Sequence, residues 1–368
     1  MLIQNRIQLN EYLENAMTNS YEKIKEEGEY DTYQNLLKTY IIESNVGLNE
    51  LEKTIKSLGF GVTVTRTEDN TLSVVNIANN NIKVTFFADS FNSRFWLLHT
   101  IGNSKSTDGI IRKTVGTQIN GLDHPWFSTG FLENIVKNEK DIFRGLTLKY
   151  DDIFIKEEDS IPIKSLSMKL WGTAASNVLK SLKSDNDLKN SVSISGIGIK
   201  RNFDGNFIIE DIGSWGKFTA KGTSIDGHLQ ILSELRKKYE ETLKFIEDEI
   251  FIERKFNGVG YNLRGSSITI VLKKEIKDLD IFLNDLISSK RPFRIWGIKN
   301  LIDDEFVKVV GIDLHNNDPL DIEITPNWIR IYMNKGACGN TVMRLLANIQ
   351  RHYDSEARIE GELSGKII

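Results

Sequence analysis

A single cysteine, Cys338, stands in 368 residues. That excludes a disulfide within the chain and any cysteine-rich zinc site. Prolines number only five, too few for long extended linkers. The longest apolar runs, such as Ile268 to Leu272, fall far short of the ~20 residues that span a bilayer. Met1 to Glu14 lacks the apolar core of a secretory signal. A cationic excess is missing too: 51 Asp and Glu outnumber 47 Lys and Arg, for a net charge of −4. Proteins that neutralise many phosphates carry the opposite balance, so nucleic-acid binding has to rest on a local patch. No GxGxxG, Walker A or HExxH motif occurs, and no cofactor or metal is implied. These absences point to the cytoplasm and away from the membrane.

What is present is an ordinary globular balance, 40% hydrophobic and 27% charged. The first sixty residues read as helical: Asn5 to Glu27, Tyr33 to Glu43, and Leu48 to Leu58 with Gly59 as its stop. Strands follow at 61–67, 71–76, 82–88 and 94–100, with helices at Lys105 to Val115 and Trp126 to Val136. A strand is expected within Phe143–Ile155, another at Ser165–Leu170, and a helix at Ala174–Leu182. Strands at Val192–Lys200, Phe207–Ile212 and Lys217–Lys221 lead into a long helix from Ser224 to about Ile250. The last third reads strand (Ser267–Lys273), helix (Leu279–Ser288), four strands between Phe293 and Asn334, helix (Asn340–Tyr353) and a final strand near Ala357–Glu360. The division that follows is 1–60 as a helical segment, then α+β modules at 61–140, 141–254 and 255–368.

Lys221–Tyr239 (KGTSIDGHLQILSELRKKY) aligns without gaps on Lys335–Tyr353 (KGACGNTVMRLLANIQRHY). Lys-Gly opens each, Tyr closes each, and Leu232 matches Leu346. Upstream the correspondence runs through Trp215/Trp328, Lys217/Arg330, Phe218/Ile331, Glu210/Glu323 and Gly198-Ile199/Gly311-Ile312. Both segments are strands ending at a glycine free to take positive φ, then a helix with one apolar stripe. The expectation is an internal repeat within 191–362. The order strand, helix, four strands, helix over 267–353 resembles one half of the TATA-box-binding-protein fold. Residues 165–250 fit with one strand fewer, and 48–115 form a more divergent copy lacking its first strand. The fold class expected is therefore α+β: tandem antiparallel-sheet-plus-helix modules after a helical N-terminal segment.

An antiparallel sheet that buries one face under helices leaves the other available. Lys169, Trp171, Trp215, Lys217, Arg294, Trp296, Trp328, Arg330 and Tyr332 fall on that second face by alternation. Aromatics interleaved with cations suit base stacking and phosphate contact, and equally the hot spots of a protein interface. Glu210, Asp321 and Glu323 dilute the positive field and favour a protein. His228 sits in a helix's apolar stripe, read as a half-buried histidine beside Asp226 or Glu234, and His352 is read at an exposed helix end.

Arg94 and His99 (RFWLLH) resemble the R-x4-6-H signature of HEPN ribonucleases, which implies a pair acting on a scissile phosphate. That family carries the motif on a helix; here the intervening Phe95–Leu98 read as a strand, which would point the two residues to opposite faces. Acidic clusters at Asp151-Asp152, Glu157-Glu158-Asp159 and Asp303-Asp304-Glu305 offer oxygens for Mg²⁺ but read as solvated loops. Glu275-Ile276-Lys277 matches only the letters of a metal-dependent nuclease motif. Cys338, between two glycines before a helix, has no assigned His–acid pair. The functional expectation is a non-catalytic binding or scaffold protein for a partner subunit or nucleic acid, such as a component of a bacterial antiviral defence complex. The alternative is a nucleic-acid-cleaving enzyme.

Overall fold

The computed structural model describes residues 3–27, 35–79, 81–115, 121–154 and 163–360. Glu157-Glu158-Asp159 lies outside them. In chain order the elements are α1 (Arg6–Glu27), β1 (Leu37–Ser44), α2 (Leu48–Ser57), β2 (Gly61–Arg66), β3 (Leu72–Ala78), β4 (Lys83–Asp89), β5 (Phe95–Thr100), α3 (Ser104–Thr114) and β6 (Leu122–Asp123). Next come α4 (Thr129–Val136), β7 (Asp141–Asp151), β8 (Ser165–Trp171), α5 (Ala175–Ser184), β9 (Ile194–Phe203), β10 (Asn206–Gly213), β11 (Lys217–Gly222) and α6 (Ile225–Phe245). The remainder is β12 (Glu253–Phe256), β13 (Tyr261–Arg264), β14 (Ile268–Val271), α7 (Leu279–Leu286), β15 (Ile295–Asp303), β16 (Phe306–Asp313), β17 (Asp318–Thr325), β18 (Trp328–Met333), α8 (Asn340–His352) and β19 (Arg358–Ile359). Helices and antiparallel sheets make this an α+β protein.

The chain divides into two compact units that interleave along the sequence. The first holds residues 1–125, 136–143 and 198–236; the second holds 126–135, 144–197 and 237–368.

In the first unit the sheet runs β2-β3-β4-β5-β1-β11-β10, with β9 next. One face carries Tyr40, Ile42, Val75, Ile77, Phe86, Trp96 and Leu98, buried with Leu51 and Ile55 of α2 and Ile110 and Ile111 of α3. The opposite face is roofed by α1 and α6. Tyr12 of α1 meets Phe87 edge to face at 5.7 Å, and His228 of α6 reaches Thr39 of β1. Arg6, at the start of α1, holds Asp89 and Thr71 and so ties the helix to β3 and β4.

Leu37–Ser44 overturns the helix expected at Tyr33 to Glu43. Every residue of β1 is buried, because helices cover both faces. A strand buried on both sides loses the period-two alternation that marks a strand in sequence, and here Lys38, Thr39 and Glu43 are buried along with Tyr40, Ile41 and Ile42. β1 supplies the first strand expected to be absent from the 48–115 copy. Residues 37–114 run strand, helix, four strands, helix, with β1 seated beside β5.

The second unit has the same element order over 268–352. Its sheet runs β15-β16-β17-β18-β14-β19, entirely antiparallel, with β14 beside β18 as β1 is beside β5. Alternation is clean here: Val307, Val309, Leu320, Ile322, Ile324, Ile329, Ile331 and Met333 are buried. α8 lies on that buried face, where Arg344 and Thr341 both bond the Asp313 carboxylate and Arg344 Nε donates to the Phe293 carbonyl at 3.2 Å. α7 lies on the same face, with Phe282 stacked on Phe154 at 4.4 Å and set against Tyr353 at 5.0 Å.

β9-β10-β11-α6 and β16-β17-β18-α8 also share an order, and Gly222 and Gly336 both take positive φ, 141° and 98°. Their hairpin registers differ. Glu210 pairs with Ala220, whereas Met333, the match of Ala220, pairs with Leu320 and not with Glu323. The loop from Gly213 to Gly216 is longer than the tight turn at Pro326-Asn327, and the difference turns Glu210 inward and Glu323 outward.

Arg344 and Asp313 are both buried, so removing one strands the other's charge. Arg344→Met is expected to lower stability by about 3–5 kcal/mol, with Asp313→Asn in the same chain restoring part of it. Urea unfolding of the single and double variants checks this.

Candidate functional site

The face of β15–β18 turned away from α7 and α8 is open. Cross-strand register places Trp296 opposite Ile312, Ile298 opposite Val310, Lys308 opposite Glu323, and Glu323 opposite Arg330. Ile298 and Val310 are 66% and 65% exposed and Trp296 is 48% exposed, an apolar strip across two neighbouring strands. Large aliphatic side chains left this open on adjacent strands are a feature of interaction surfaces.

Beside the strip lies a charged cluster centred on Glu323. Its carboxylate accepts from Tyr332 at 2.8 Å and pairs with Lys308 at 3.1 Å and Arg330 at 3.5 Å. Partial burial pushes the Glu323 carboxyl up, but the hydrogen bonds from Tyr332 and Lys308 outweigh it and leave the group below its ordinary range. Arg330 also stacks over Trp328 at 4.4 Å. Both cations of this face are thus matched to a carboxylate, and Asp321 adds a further negative charge opposite Tyr332.

The nine residues expected on one basic–aromatic surface separate. Trp296, Trp328, Arg330 and Tyr332 lie together on the open face. Lys169 and Trp171 are exposed on β8, with the ammonium 4.7 Å from the ring centroid, in the sheet of β7 and not in that of β15–β18. Trp215 and Lys217 belong to the first unit and are not on a free face. The Trp215 indole packs on Tyr40 and His124 at 5.6 and 5.3 Å, beneath Arg112, while Lys217 pairs with Asp108 at 2.8 Å. They turn toward α3 because the face they occupy is the one α3 covers. Arg294 is buried at 5% exposure with φ +58°, and its guanidinium donates to the Leu314 carbonyl, so it precedes the strand instead of decorating it. Sequence reasoning missed Ile298 and Val310, whose aliphatic character reads as core; their even spacing with Trp296 and Lys308 was the available signal.

Two histidines singled out separately in the sequence meet in the first unit. Thr39 Oγ1 is 2.8 Å from His99 Nδ1 and 2.7 Å from His228 Nε2, and His228 Nδ1 bonds Glu210. All four side chains are buried. His228 is therefore fully enclosed, with Glu210 as partner in place of Asp226 or Glu234. A threonine hydroxyl carries one proton, so this chain has two arrangements. Either Thr39 donates to His228 Nε2 and accepts from His99 Nδ1–H, or His228 Nε2–H donates to Thr39, which donates to His99 Nδ1. The order hydroxyl–imidazole–carboxylate is that of an activated nucleophile. All four groups are enclosed between sheet and helices, and Glu210 Oε2 is left there without a hydrogen-bond partner among the described residues.

Arg94 does not join His99. Its guanidinium holds Glu43 at 2.8 Å, and β5 begins only at Phe95. Glu43 and Thr39, the partners of Arg94 and His99, share a face of β1 but stand four residues apart, roughly 13 Å. The strand parity that separates the two faces does not apply to Arg94, which lies before the strand; distance keeps the pair apart instead. Asp152 is occupied by Lys274 at 2.5 Å and Tyr150 at 3.0 Å. His352 Nδ1 lies 2.9 Å from the Asp151 carbonyl, and burial pushes its pKa down, so it is not at a free helix end. Cys338 is buried, and its backbone N–H donates to Asp318 at 2.8 Å.

Fold and site together define an α+β protein with a one-sided, partly apolar sheet face. The chain belongs to the MJECL33-like protein family, which it matches over residues 1–368. It is similar to the protein MJECL33 of Methanocaldococcus jannaschii, at 32% identity over 408 aligned positions that cover 100% of this chain and 96% of the relative. No solved structure matches it.

Burial, followed by the neighbouring His228 imidazole, pushes His99 down to about 3 from 6.5. Between those values the unfolded chain binds a proton at His99 that the folded chain does not. Stability from this group is complete above pH 6.5 and is lost as pH falls, by up to about 1.4 kcal/mol per pH unit. Urea unfolding of wild type and His99→Gln at stepped pH should show a steeper acid loss for wild type; parallel curves would remove the argument.

Proposed function

We propose that this protein is a non-catalytic binding component that takes up a partner protein on the open face of β15–β18. One observation carries the reading. The element order strand, helix, four strands, helix occurs over 37–114 and over 268–352, with the same strand order in each sheet. In the first unit the face opposite α2 and α3 is covered by α1 and α6. In the second unit the face opposite α7 and α8 carries Trp296, Ile298 and Val310 bare. An apolar sheet face without a helical roof is a surface whose burial is favourable, at about 25 cal/mol per Å² of apolar area removed from water.

The charge arrangement favours protein over nucleic acid. Phosphate binding needs unmatched cations, and Lys308 and Arg330 already share Glu323. Trp328, Arg330 and Tyr332 are the residue types that dominate protein interfaces. A TATA-box-binding-protein-like half over 267–353 remains part of this reading on element order, without that family's DNA binding. Against the nuclease alternative stands the separation of Arg94 from His99.

Val310→Asp and the pair Trp328→Ala/Arg330→Ala alter the face without touching the core. Each is expected to weaken partner capture about thirtyfold, corresponding to a hot-spot loss near 2 kcal/mol. Affinity capture of tagged protein from its native cells, followed by cross-linking, is the measurement, with urea midpoints as a control for folding. Cross-links from the partner should fall on β15–β18. Undiminished capture, or specific binding of single-stranded DNA or RNA that these changes abolish, would sink the protein-partner reading.

A further inference from the structure

The opposite side of the same sheet carries a separate feature. Between the start of α7 and the tips of β15 and β16 lies a groove of about 580 Å³. Leu279 and Leu283 of α7 and Leu301 and Val307 of the sheet supply its apolar walls. Asp278, Asp280 and Asp304 stand at its rim against Lys277 and Lys299. Lys299 is already bonded to Asp280, so the uncommitted charge of the groove is negative.

β15 is the last strand of its sheet, and among the described residues only Ser288 bridges its outer side, at Trp296. Backbone direction on this strand can be read from two bonds. Arg294 presents its carbonyl to Leu314, on the β16 side, whereas Ile295 presents its carbonyl to Ser289, on the outer side. Alternation then turns the N–H and C=O of Lys299 and Leu301 outward, beyond the reach of the Ser288 bridge. A bulge after Leu301 ends the flat run. An edge with exposed Ile298, Leu301 and Ile302 along it is the kind proteins normally guard or use.

We propose that this edge and groove bind an extended cationic peptide segment of another protein, which adds to the sheet as a strand beside β15. Its backbone pairs with Lys299 and Leu301. Alternate apolar side chains enter the groove against Leu279, Leu283, Leu301 and Val307, and flanking Arg or Lys residues meet Asp278 and Asp304. Strand addition supplies affinity through main-chain bonds and specificity through alternate side-chain positions. The groove lies on the α7 side of the sheet, and Trp328 and Arg330 of the open face stand on β18, three strands from β15.

The test uses the full chain and a fluorescein-labelled hexapeptide of alternating valine and arginine, read by fluorescence anisotropy. A glutamate-for-arginine peptide and one N-methylated at alternate amides serve as comparisons. The arginine peptide should bind, and weaken about tenfold as salt is raised to screen the rim. The glutamate and N-methylated peptides should bind at least about tenfold more weakly. Leu301→Pro removes an outward N–H without removing a bond to β16, a position where an edge strand tolerates proline. It should cost about tenfold in affinity at an unchanged urea midpoint. Asp304→Lys, on an exposed turn, should cost severalfold and stands in if the proline variant fails to fold. Trp328→Ala/Arg330→Ala should bind the peptide as wild type does. Equal binding of all three peptides, wild-type affinity in both Leu301→Pro and Asp304→Lys, or loss of binding in the open-face variant would overturn the proposal.

Discussion

A five-stranded antiparallel sheet whose two helices both pack on one side has an unsolved second side. Backbone and side-chain ordering cost roughly 1–2 kcal/mol per residue, and burial of apolar area is the main term that offsets it. The first unit resolves the problem internally. α1, pinned by Arg6 to Asp89, and α6, joined through His228 to Thr39, close over β1 and its neighbours. The consequence is a strand, Leu37–Ser44, with no exposed residue at all. In the second unit no helix among the described residues covers the corresponding side, and Trp296, Ile298 and Val310 stand exposed on it.

Buried polar groups follow the same division. Roofing a sheet on both sides traps hydroxyls and imidazoles that must find partners inside, and Thr39, His99, His228 and Glu210 bond one another in a single chain of contacts. In the second unit the trapped group is the Asp313 carboxylate, held by Arg344 and Thr341 of α8. Each network fixes the position of one helix on its sheet. Neither lies at a surface.

Much of the fold was legible. Alternation marked β16, β17 and β18, the apolar stripe marked α8, and Gly59, Gly222 and Gly336 stood where positive φ was required. What failed had a common cause. β1 lost its alternation because both its faces are covered, and Arg294 and Trp215 were assigned to a free face on parity alone. Arg294 precedes its strand and turns into the core, while Trp215 sits in a loop under Arg112. The matched acids Glu210 and Glu323 ended on opposite sides because two hairpins of similar sequence close with different loops.

The amino-acid sequence by itself determined the α+β class, the order of elements over 267–353, and the pattern that places Trp296, Trp328, Arg330 and Tyr332 on one side of a sheet. Those follow from local periodicity, which neighbouring residues encode directly. Tertiary structure alone decided which sheet faces are roofed, which histidines meet, and that Ile298 and Val310 stand in solvent. A side chain's parity along a strand says which face it shares, but only the packing of distant segments says whether anything covers that face.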